Sequence, residues 1–538
     1  MSMSGFIVGQ VGILFLVAFI AWRRSQDATM KFIAGTSGWA CLFVFASIAV
    51  VGIDNATTGI LLYSGLSGVA IVAGYRIYIA WSEAGDDANH VRGAQLTNAA
   101  KVNKQLKGRQ SRFTMGGVNV PIDIEPRNFL LAGSPGTGKS QALTIALDSL
   151  ITDKAMAIIA DASGIYCQRY YDSSKNDVIL NPLDARSVKW SPLAEIKSAA
   201  DIASVCKSLM PDGEGESRQW TTYAQECLDA IISHVYANCG TNGDIYHLAV
   251  AADMKELRQV FAGTPAAALV TEGNDRMFGS VRGTLSEAMR AFKYLDKSVG
   301  AANSFSIVDH IARGGSGIIF LTYQQQHRAA LARLIASCID VAARSVLMLP
   351  PKLDRRVVFA LDELPLLGKI NSIIELATNG RKHGAVIFAG LQTISQLREL
   401  YGRETAQTLL ACLGSWLILQ IADAETAEYM SKQLGDTERK RVTQSGGSSE
   451  TDSGGSVTSN WSEQIHKDKL ILASQLQGLE SRIGYLRLAS MNVIAHVAIP
   501  IAPEQKQAPA YIAAPMPKSE PKPEPKPCLL YTSDAADE

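Results

Sequence analysis

The chain has 538 residues, too many for a single domain, and its 51 basic and 51 acidic residues leave no net charge. This balance excludes a uniformly basic surface for nucleic acid, although a channel lined by local basic patches stays compatible with it. The eight cysteines contain no CxxC pair, which argues against a zinc site or a disulfide framework and favours a reducing compartment.

The sequence of residues 1–90 predicts a membrane anchor of about three transmembrane helices. Three apolar stretches, residues 6–22, 32–53 and 58–81, each approach the roughly 20 residues that span a bilayer. Cations follow the first and third stretches, whereas the connection after the second has none, so the positive-inside rule places the main body in the cytoplasm. A buried amphipathic hairpin of a soluble protein is the alternative interpretation.

The segment 133–140 has the pattern of a P-loop, because an apolar run precedes it and a helix-prone run follows it. Backbone N–H groups of such a loop bind the phosphates of ATP. Lys139 would reach the β- and γ-phosphates, and the Ser140 hydroxyl would ligate Mg²⁺. A plain glycine turn is the alternative. The predicted nucleotide-binding residues are Gly133, Ser134, Pro135, Gly136, Thr137, Gly138, Lys139 and Ser140.

A long helical insertion is predicted after the first strands of the nucleotide-binding domain. Apolar residues recur at spacings of three and four in residues 201–210 and 223–232, which indicates amphipathic helices. The sequence therefore predicts an all-α domain, residues 193–298, inserted into an α/β nucleotide-binding domain formed by residues 91–192 and 299–500.

A second apolar run ends in two acids, Asp362 and Glu363, as the Walker B strand of an ATPase does. A buried parallel strand is a continuous apolar run, and ligands bind beyond the carboxyl ends of such strands. Asp362 would hold Mg²⁺, and Glu363 would orient or deprotonate the attacking water. A strand that ends in a solvated acidic turn is the alternative, and the P-loop in the same chain favours Walker B.

Two further catalytic candidates flank the next predicted strand, residues 385–391. Gln392 ends this strand, where it can sense the γ-phosphate or position water. Arg381 lies in the basic turn before it and could act as an arginine finger for a neighbouring subunit. The alternatives are an ordinary polar residue at a strand end and an arginine that is solvated or contacts DNA.

Two segments lack the apolar periodicity of packed helices or strands. Residues 444–460 are rich in Ser, Gly and Thr and predict a mobile loop. Residues 501–538 are rich in Pro and Lys and predict a disordered tail. The composition changes abruptly after Pro527, so we interpret the last residues as a non-native appendage.

The motifs, in this order, resemble the conjugative type IV secretion coupling proteins of the TraD/TrwB family. The resemblance covers about residues 93–500 and, beside the Walker motifs, includes residues 161–164, 181–186 and 390–397. It implies a RecA-like P-loop motor domain with an inserted all-α domain, anchored by transmembrane helices in the bacterial inner membrane and assembled as a homo-hexamer. The family commonly has two membrane spans, whereas three are predicted here.

The resemblance also implies a function and partners. It gives the P-loop, Asp362, Glu363, Gln392 and Arg381 their roles in an ATPase that recruits the relaxase and pumps the attached single-stranded DNA to a type IV secretion channel. One alternative is a translocase of double-stranded DNA related to FtsK and HerA. Another is a receptor hub that recruits protein substrates and uses nucleotide only as an assembly switch.

Overall fold

The computed structural model describes residues 90–152, 154–213, 215, 217–314, 317–449 and 456–515. The apolar stretches of the predicted membrane anchor lie outside these residues. Within the described ranges, no helix has the length and apolar character needed to cross a bilayer. The described residues form two compact units, one from residues 90–93 and the described part of 436–468 and the other from the described part of residues 94–435 and 469–515.

The strands are numbered in chain order. They are β1 (His90–Gly93), β2 (Gln95–Asn98), β3 (Ser111–Met115), β4 (Val118–Pro121), β5 (Phe129–Ala132), β6 (Met156–Asp161), β7 (Val178–Ile179), β8 (Ile318–Thr322), β9 (Val357–Leu361), β10 (Ala385–Leu391), β11 (Ser415–Ile418), β12 (Asp436–Ser449), β13 (Ser456–Lys469), β14 (Ile483–Arg487) and β15 (Val493–Ala498).

The α-helices of the described residues all belong to the second unit. They are Ala99–Gln105, Lys139–Thr152, Ile165–Tyr170, Ala199–Leu209, Ser217–Ala237, Asn242–Tyr246, Met254–Phe261, Asp275–Ala288, Ile307–Arg313, Arg328–Met348, Ile373–Asn379, Ile394–Tyr401, Arg403–Cys412, Ala424–Leu434 and Ala473–Gln477.

The first unit contains a three-stranded sheet in the order β1-β12-β13. Strand β1 pairs antiparallel with β12, and an ion pair between Arg92 and Glu438 joins the two strands at 2.6 Å. Strands β12 and β13 extend to residue 449 and from residue 456. They therefore include residues 444–449 and 456–460, for which the prediction of a loop was wrong, because main-chain pairing in a sheet does not require apolar side chains.

The second unit is built on a ten-stranded sheet in the order β2-β15-β14-β11-β5-β10-β9-β6-β8-β7. From β11 to β7 every neighbouring pair is parallel, whereas β14 runs antiparallel to both of its neighbours. All residues of β5, β6, β8, β9 and β10 are buried, as expected for parallel strands covered on both faces. The predicted α/β class is confirmed, with a mixed sheet.

Alternate residues of each central strand enter different apolar clusters, which identifies the two faces of the sheet. Leu130 and Phe359 belong to the larger cluster, which continues into the helices between residues 199 and 313. Phe129 and Val358 belong to the other, which contains the helix Lys139–Thr152. Both faces are thus covered by helices.

Between β7 and β8 the regular elements of the described chain are all helical. The apolar periodicity of residues 201–210 and 223–232 therefore predicted the local structure correctly. The apolar core of these helices is continuous with one face of the sheet, because residues such as Leu228 and Phe359 belong to the same cluster. The assignment of residues 193–298 to a separate all-α domain stays a prediction.

The carboxyl ends of the central strands meet at one edge of the sheet. In the register of the ladders, Leu391 pairs with Ala132 and Ala389 pairs with Leu361. The chains leaving β5, β9 and β10 therefore start side by side. At Gly390 a Cβ would lie 1.7 Å from the Asp362 carbonyl oxygen, so this close approach requires glycine.

The expected disorder of residues 501–538 does not hold for their first part. Residues 503–514, called the C-terminal strap below, lie against the helix Ile165–Tyr170 and the loop 181–186. Arg169 Nη1 donates to the Pro503 carbonyl at 2.6 Å, and Arg186 Nη1 donates to the Pro509 carbonyl at 2.7 Å.

Main-chain hydrogen bonds complete the attachment of the C-terminal strap. Ala185 N donates to Ile512 O at 2.8 Å, and Ala514 N donates to Leu183 O at 2.9 Å. The composition of the strap indicated correctly that it would not form a helix. It could not show that unpaired main-chain groups of a distant loop would bind it in an extended form.

Gly164 offers a test of the strap. Its φ is +75°, and a Cβ there would lie 2.6 Å from Ala510 O. We expect Gly164→Ala to lower the thermal midpoint and to speed proteolysis within the strap, because the left-handed backbone costs about 1–2 kcal/mol and the carbonyl must move. Gly263→Ala is the control, since Gly263 has φ +78° with no described atom within 4 Å of its Cβ position. Equal proteolysis in both variants would contradict the contact.

Candidate nucleotide-binding site

The predicted P-loop, residues 133–140, connects β5 to the helix Lys139–Thr152 at the carboxyl edge of the sheet. Gly136 and Gly138 have φ of +76° and +110°, backbone angles that glycine adopts without strain. Gly133 N donates to Leu391 O at 3.0 Å, and Ser134 N donates to Gln420 O at 2.8 Å. The start of the loop is therefore held by the end of β10 and by the chain that follows β11.

A second segment also holds the loop, and no local sequence pattern predicts this contact. Arg482 N donates to Thr137 O at 2.9 Å, and the Ser481 hydroxyl donates to Gly136 O at 3.1 Å. These residues lie just before β14, and the sequence around them has no motif that would relate them to a phosphate loop.

Lys139 is folded over its own loop. Its Nζ donates to Gly133 O and, at 3.2 Å, to Ser134 O, and the residue is 8% exposed. Burial lowers the pKa of Lys139, whereas the negative charges of Glu363 and Asp362 raise it. The lysine thus lies close enough to both predicted Walker B acids for their charges to interact.

Ser140 and Asp362 face each other directly. The Ser140 hydroxyl donates to Asp362 Oδ2 at 3.0 Å and to Oδ1 at 3.2 Å. Burial raises the pKa of Asp362, while the Ser140 hydrogen bond and the Lys139 charge lower it. A hydroxyl and a carboxylate oxygen side by side are the hard ligands that Mg²⁺ takes from proteins beside phosphate and water. These residues therefore fit a magnesium ion.

Glu363 has the environment of a catalytic base. It is 9% exposed, and within the described part of the chain its Oε1 is buried without a hydrogen-bond partner. Burial raises the pKa of Glu363, whereas the charge of Lys139 and a hydrogen bond from Gln392 lower it. A carboxylate with a raised pKa and a free oxygen is suited to accept a proton from water. Gln392, at the end of β10, lies against it.

Arg381 is not part of this site in its own chain. It is exposed in the short 3-10 turn Gly380–His383, which precedes β10, and Gln392 follows the other end of that strand. Arg381 therefore lies at the opposite edge of the sheet from Lys139. There it lines a cavity of about 430 Å³ together with Arg109, Gln110, Ile122, Asp123, Pro126, Leu353 and Arg356.

Two further residues at the site were given no role from the sequence. Asp161 is the last residue of β6, is 0% exposed and accepts hydrogen bonds from the main-chain N–H groups of Ile165 at 3.1 Å and Cys167 at 2.8 Å. Burial raises the pKa of Asp161 to about 6. Tyr166, on the helix that Asp161 caps, is buried beside Asp362 and Ser140. The apolar run before Asp161 was a visible signal, whereas the helix with Tyr166 is too short to show periodicity.

Known proteins resemble this chain in sequence and fold. The family "Type IV secretion-system coupling protein DNA-binding domain" matches residues 112–500. The coupling protein TraD of Escherichia coli (strain K12) is 27% identical over 432 residues, which are 78% of this chain and 59% of TraD. The type IV secretion system-coupling protein VirD4 of Bartonella quintana (strain Toulouse) is 26% identical over 257 residues, 44% of this chain and 40% of VirD4. The chain thus spans less than two thirds of the length of these relatives.

Solved structures of TrwB have the same fold. The unbound coupling protein TrwBdeltaN70 is 28% identical, with a TM-score of 0.71 over 79% of this chain and 96% of that one. The complex of TrwB with ADP and Mg²⁺ has the same identity and TM-score and is covered to 98%. The family match covers most of the chain and confirms the predicted resemblance. The protein is therefore a member of the TraD/TrwB family of type IV secretion coupling proteins.

Proposed function

We propose that this protein is an ATPase that couples ATP hydrolysis to the movement of single-stranded DNA, with its attached relaxase, into a type IV secretion channel. The observation that carries the proposal is the 3.0 Å contact between Ser140 and Asp362, in a site shared with Lys139 and Glu363. The family description supports DNA as the cargo, and the TrwB complexes with an ATP analogue and with ADP and Mg²⁺ support the nucleotide and the metal.

The residues divide the chemistry among them. Main-chain N–H groups of residues 133–140 bind the phosphates, and Lys139 exchanges its two carbonyl acceptors for phosphate oxygens. Ser140 and Asp362 hold Mg²⁺, which when bound neutralises phosphate charge. Glu363 orients the attacking water and accepts its proton, and Gln392, in contact with Glu363, responds to loss of the γ-phosphate.

The position of Arg381 supports an assembly in which each site is completed by a neighbour. An exposed arginine at the opposite edge of the sheet can approach a γ-phosphate only in another subunit, and a homo-hexameric ring supplies that geometry at every interface. The same proposal places the ring at the bacterial inner membrane, anchored by residues 1–90, with the motor in the cytoplasm.

Arg381→Ala is expected to reduce the ATPase rate by about 10³-fold or more, because an arginine finger stabilises charge in the transition state. Mixing this variant with Lys139→Ala should restore part of the rate, since the Arg381→Ala subunit keeps its own P-loop and receives an arginine from its neighbour. Lys382→Ala is the control from the same turn and should leave the rate unchanged. A wild-type rate for Arg381→Ala, or no recovery on mixing, would exclude the finger.

The choice of cargo is tested by the ATPase rate of the full chain in the presence of DNA, together with mating in a strain that lacks the gene. Stimulation by single-stranded DNA and loss of mating support the proposal. Stronger stimulation by double-stranded DNA with normal mating would indicate a double-stranded DNA translocase. Loss of mating with a rate that does not respond to DNA would indicate a receptor hub.

A further inference from the structure

Tyr166 carries a buried polar group that the roles assigned above leave unused. The residue is 2% exposed, and its hydroxyl has no hydrogen-bond partner of good geometry among the residues that the structure describes. A buried hydroxyl in this state costs folding free energy, because it has given up water without gaining a replacement. Phenylalanine would fill nearly the same volume without that cost. The hydroxyl therefore does not stabilise the fold, and its presence needs another explanation.

The topology places this hydroxyl beside the two predicted magnesium ligands. Strand β6 pairs in parallel with β9, and Ala160 is aligned with Leu361. Asp161 and Asp362 therefore lie side by side at this edge of the sheet, and the helix Ile165–Tyr170 starts after a short turn, residues 162–164.

The electrostatics agree with that placement. Burial raises the pKa of Asp362, and the hydroxyls of Ser140 and Tyr166 are among the groups that lower it. Burial raises the pKa of the Tyr166 hydroxyl most, the charge of Asp362 raises it further, and the Ser140 hydroxyl lowers it. The phenol therefore lies next to the pair that would hold the ion, although it forms no direct hydrogen bond of good geometry with either of them.

The ring of Tyr166 is held rigidly in this position. Asp161 binds the N–H groups at the start of its helix. At the other end, Arg169 Nη2 donates to Asp148 Oδ2 at 2.7 Å and Tyr170 Oη donates to Asp148 Oδ1 at 2.8 Å, which ties this helix to the helix of the P-loop. A helix fixed at both ends holds the buried ring that it carries in a defined place.

We propose that Tyr166 is a positioning residue of the magnesium site, whose hydroxyl donates a hydrogen bond to the Asp362 carboxylate in the Mg²⁺–nucleotide complex. This inference rests on the proposed function. Mg²⁺ requires nearly ideal octahedral geometry, so the orientation of its carboxylate partner matters. Groups that hydrogen-bond to a metal-binding carboxylate typically contribute about 10–100-fold to metal affinity.

Tyr166→Phe is expected to weaken the binding of Mg²⁺ without lowering the stability of the folded protein. Without Mg²⁺ and nucleotide, the thermal midpoint should stay the same or rise, because the variant removes an unpaired hydroxyl. The Mg²⁺ concentration that half-saturates binding of a non-hydrolysable ATP analogue should rise about tenfold. Affinity for the analogue without Mg²⁺ should change less than about twofold. A merely structural role would instead lower the midpoint and weaken binding under both conditions.

The experiment measures Mg²⁺-dependent binding of a fluorescent non-hydrolysable ATP analogue to the full chain. Tyr171→Phe is the matched control, because Tyr171 lies just after the same helix and packs on Phe320. An unchanged half-saturating Mg²⁺ concentration in Tyr166→Phe, an equal shift in Tyr171→Phe, or a lowered midpoint without ligand would each overturn the inference alone. Wild-type protein that binds the analogue equally with and without Mg²⁺ would overturn the proposed function as well.

Discussion

Lys139→Ala is expected to abolish ATP hydrolysis and DNA transfer. Lys139 is the cation of the site. Burial raises the pKa of both Asp362 and Glu363, and the positive charge of Lys139 lowers it. Without it, no side chain of the P-loop neutralises the charge that develops on the γ-phosphate, and the rate should fall by about 10³-fold or more. Phosphate release by the purified full chain and mating frequency measure the two losses.

The folded protein should survive this change. Burial lowers the pKa of Lys139, which shows that its charge is held at a cost, and alanine removes that cost together with the attraction to the two acids. The thermal midpoint without nucleotide is therefore expected to change little. Lys175→Ala is a control for lysine removal, because Lys175 is 67% exposed and pairs with Asp172 at 3.3 Å. Normal transfer by Lys139→Ala would contradict the motor function.

The sequence was sufficient to predict this part of the site. Ser140 and Asp362 are 222 positions apart, yet Asp362 directly follows the buried strand β9, and Ser140 lies in the first turn of the helix that follows β5. The carboxyl ends of parallel strands meet at one edge of a sheet. Residue types that follow such strands can therefore be assigned to one site before their distances are known, and Gln392 was found in the same way.

Other parts of the site depend on tertiary contacts that leave no local pattern. Ser481 and Arg482 hold the P-loop through single hydrogen bonds across more than 340 positions. Tyr166 lies on a six-residue helix, which is shorter than two turns and so shows no apolar periodicity. The side of the sheet on which Arg381 lies follows from the direction of β10, whereas its sequence indicated only a basic turn.

The C-terminal strap shows the limit of composition as a guide. Proline and lysine predicted a chain that cannot build its own core, and the strap indeed has no core of its own. It is held instead by donors and acceptors of the loop 181–186, among them the Arg186 guanidinium, which also pairs with Asp184 at 2.7 Å. Such a complementary surface belongs to the folded protein and is not visible in the composition of the segment that it binds.

Glu363→Gln is expected to keep ATP binding and lose hydrolysis. Glutamine has the shape of glutamate and cannot accept the proton of the attacking water, so the rate should fall by about 10²–10⁴-fold, while Lys139 and the phosphate loop still bind nucleotide. Single-turnover hydrolysis and analogue binding on the same sample separate the two steps. Glu375→Gln, an exposed acid on the helix Ile373–Asn379, is the control and should leave both steps unchanged.

The dependence of ATPase activity on pH gives a second test of Glu363 as the base. Burial raises the pKa of Glu363 above its ordinary value, and a base must be deprotonated to act. Wild-type activity should therefore decline as the pH falls through that raised pKa, which places the decline at a higher pH than for a solvated glutamate. The residual activity of Glu363→Gln should lack this limb, because the variant has no carboxylate to protonate. If the variant kept both the wild-type rate and the limb, the base would be another residue, and Asp161, with its pKa raised by burial to about 6, would be the next candidate to replace.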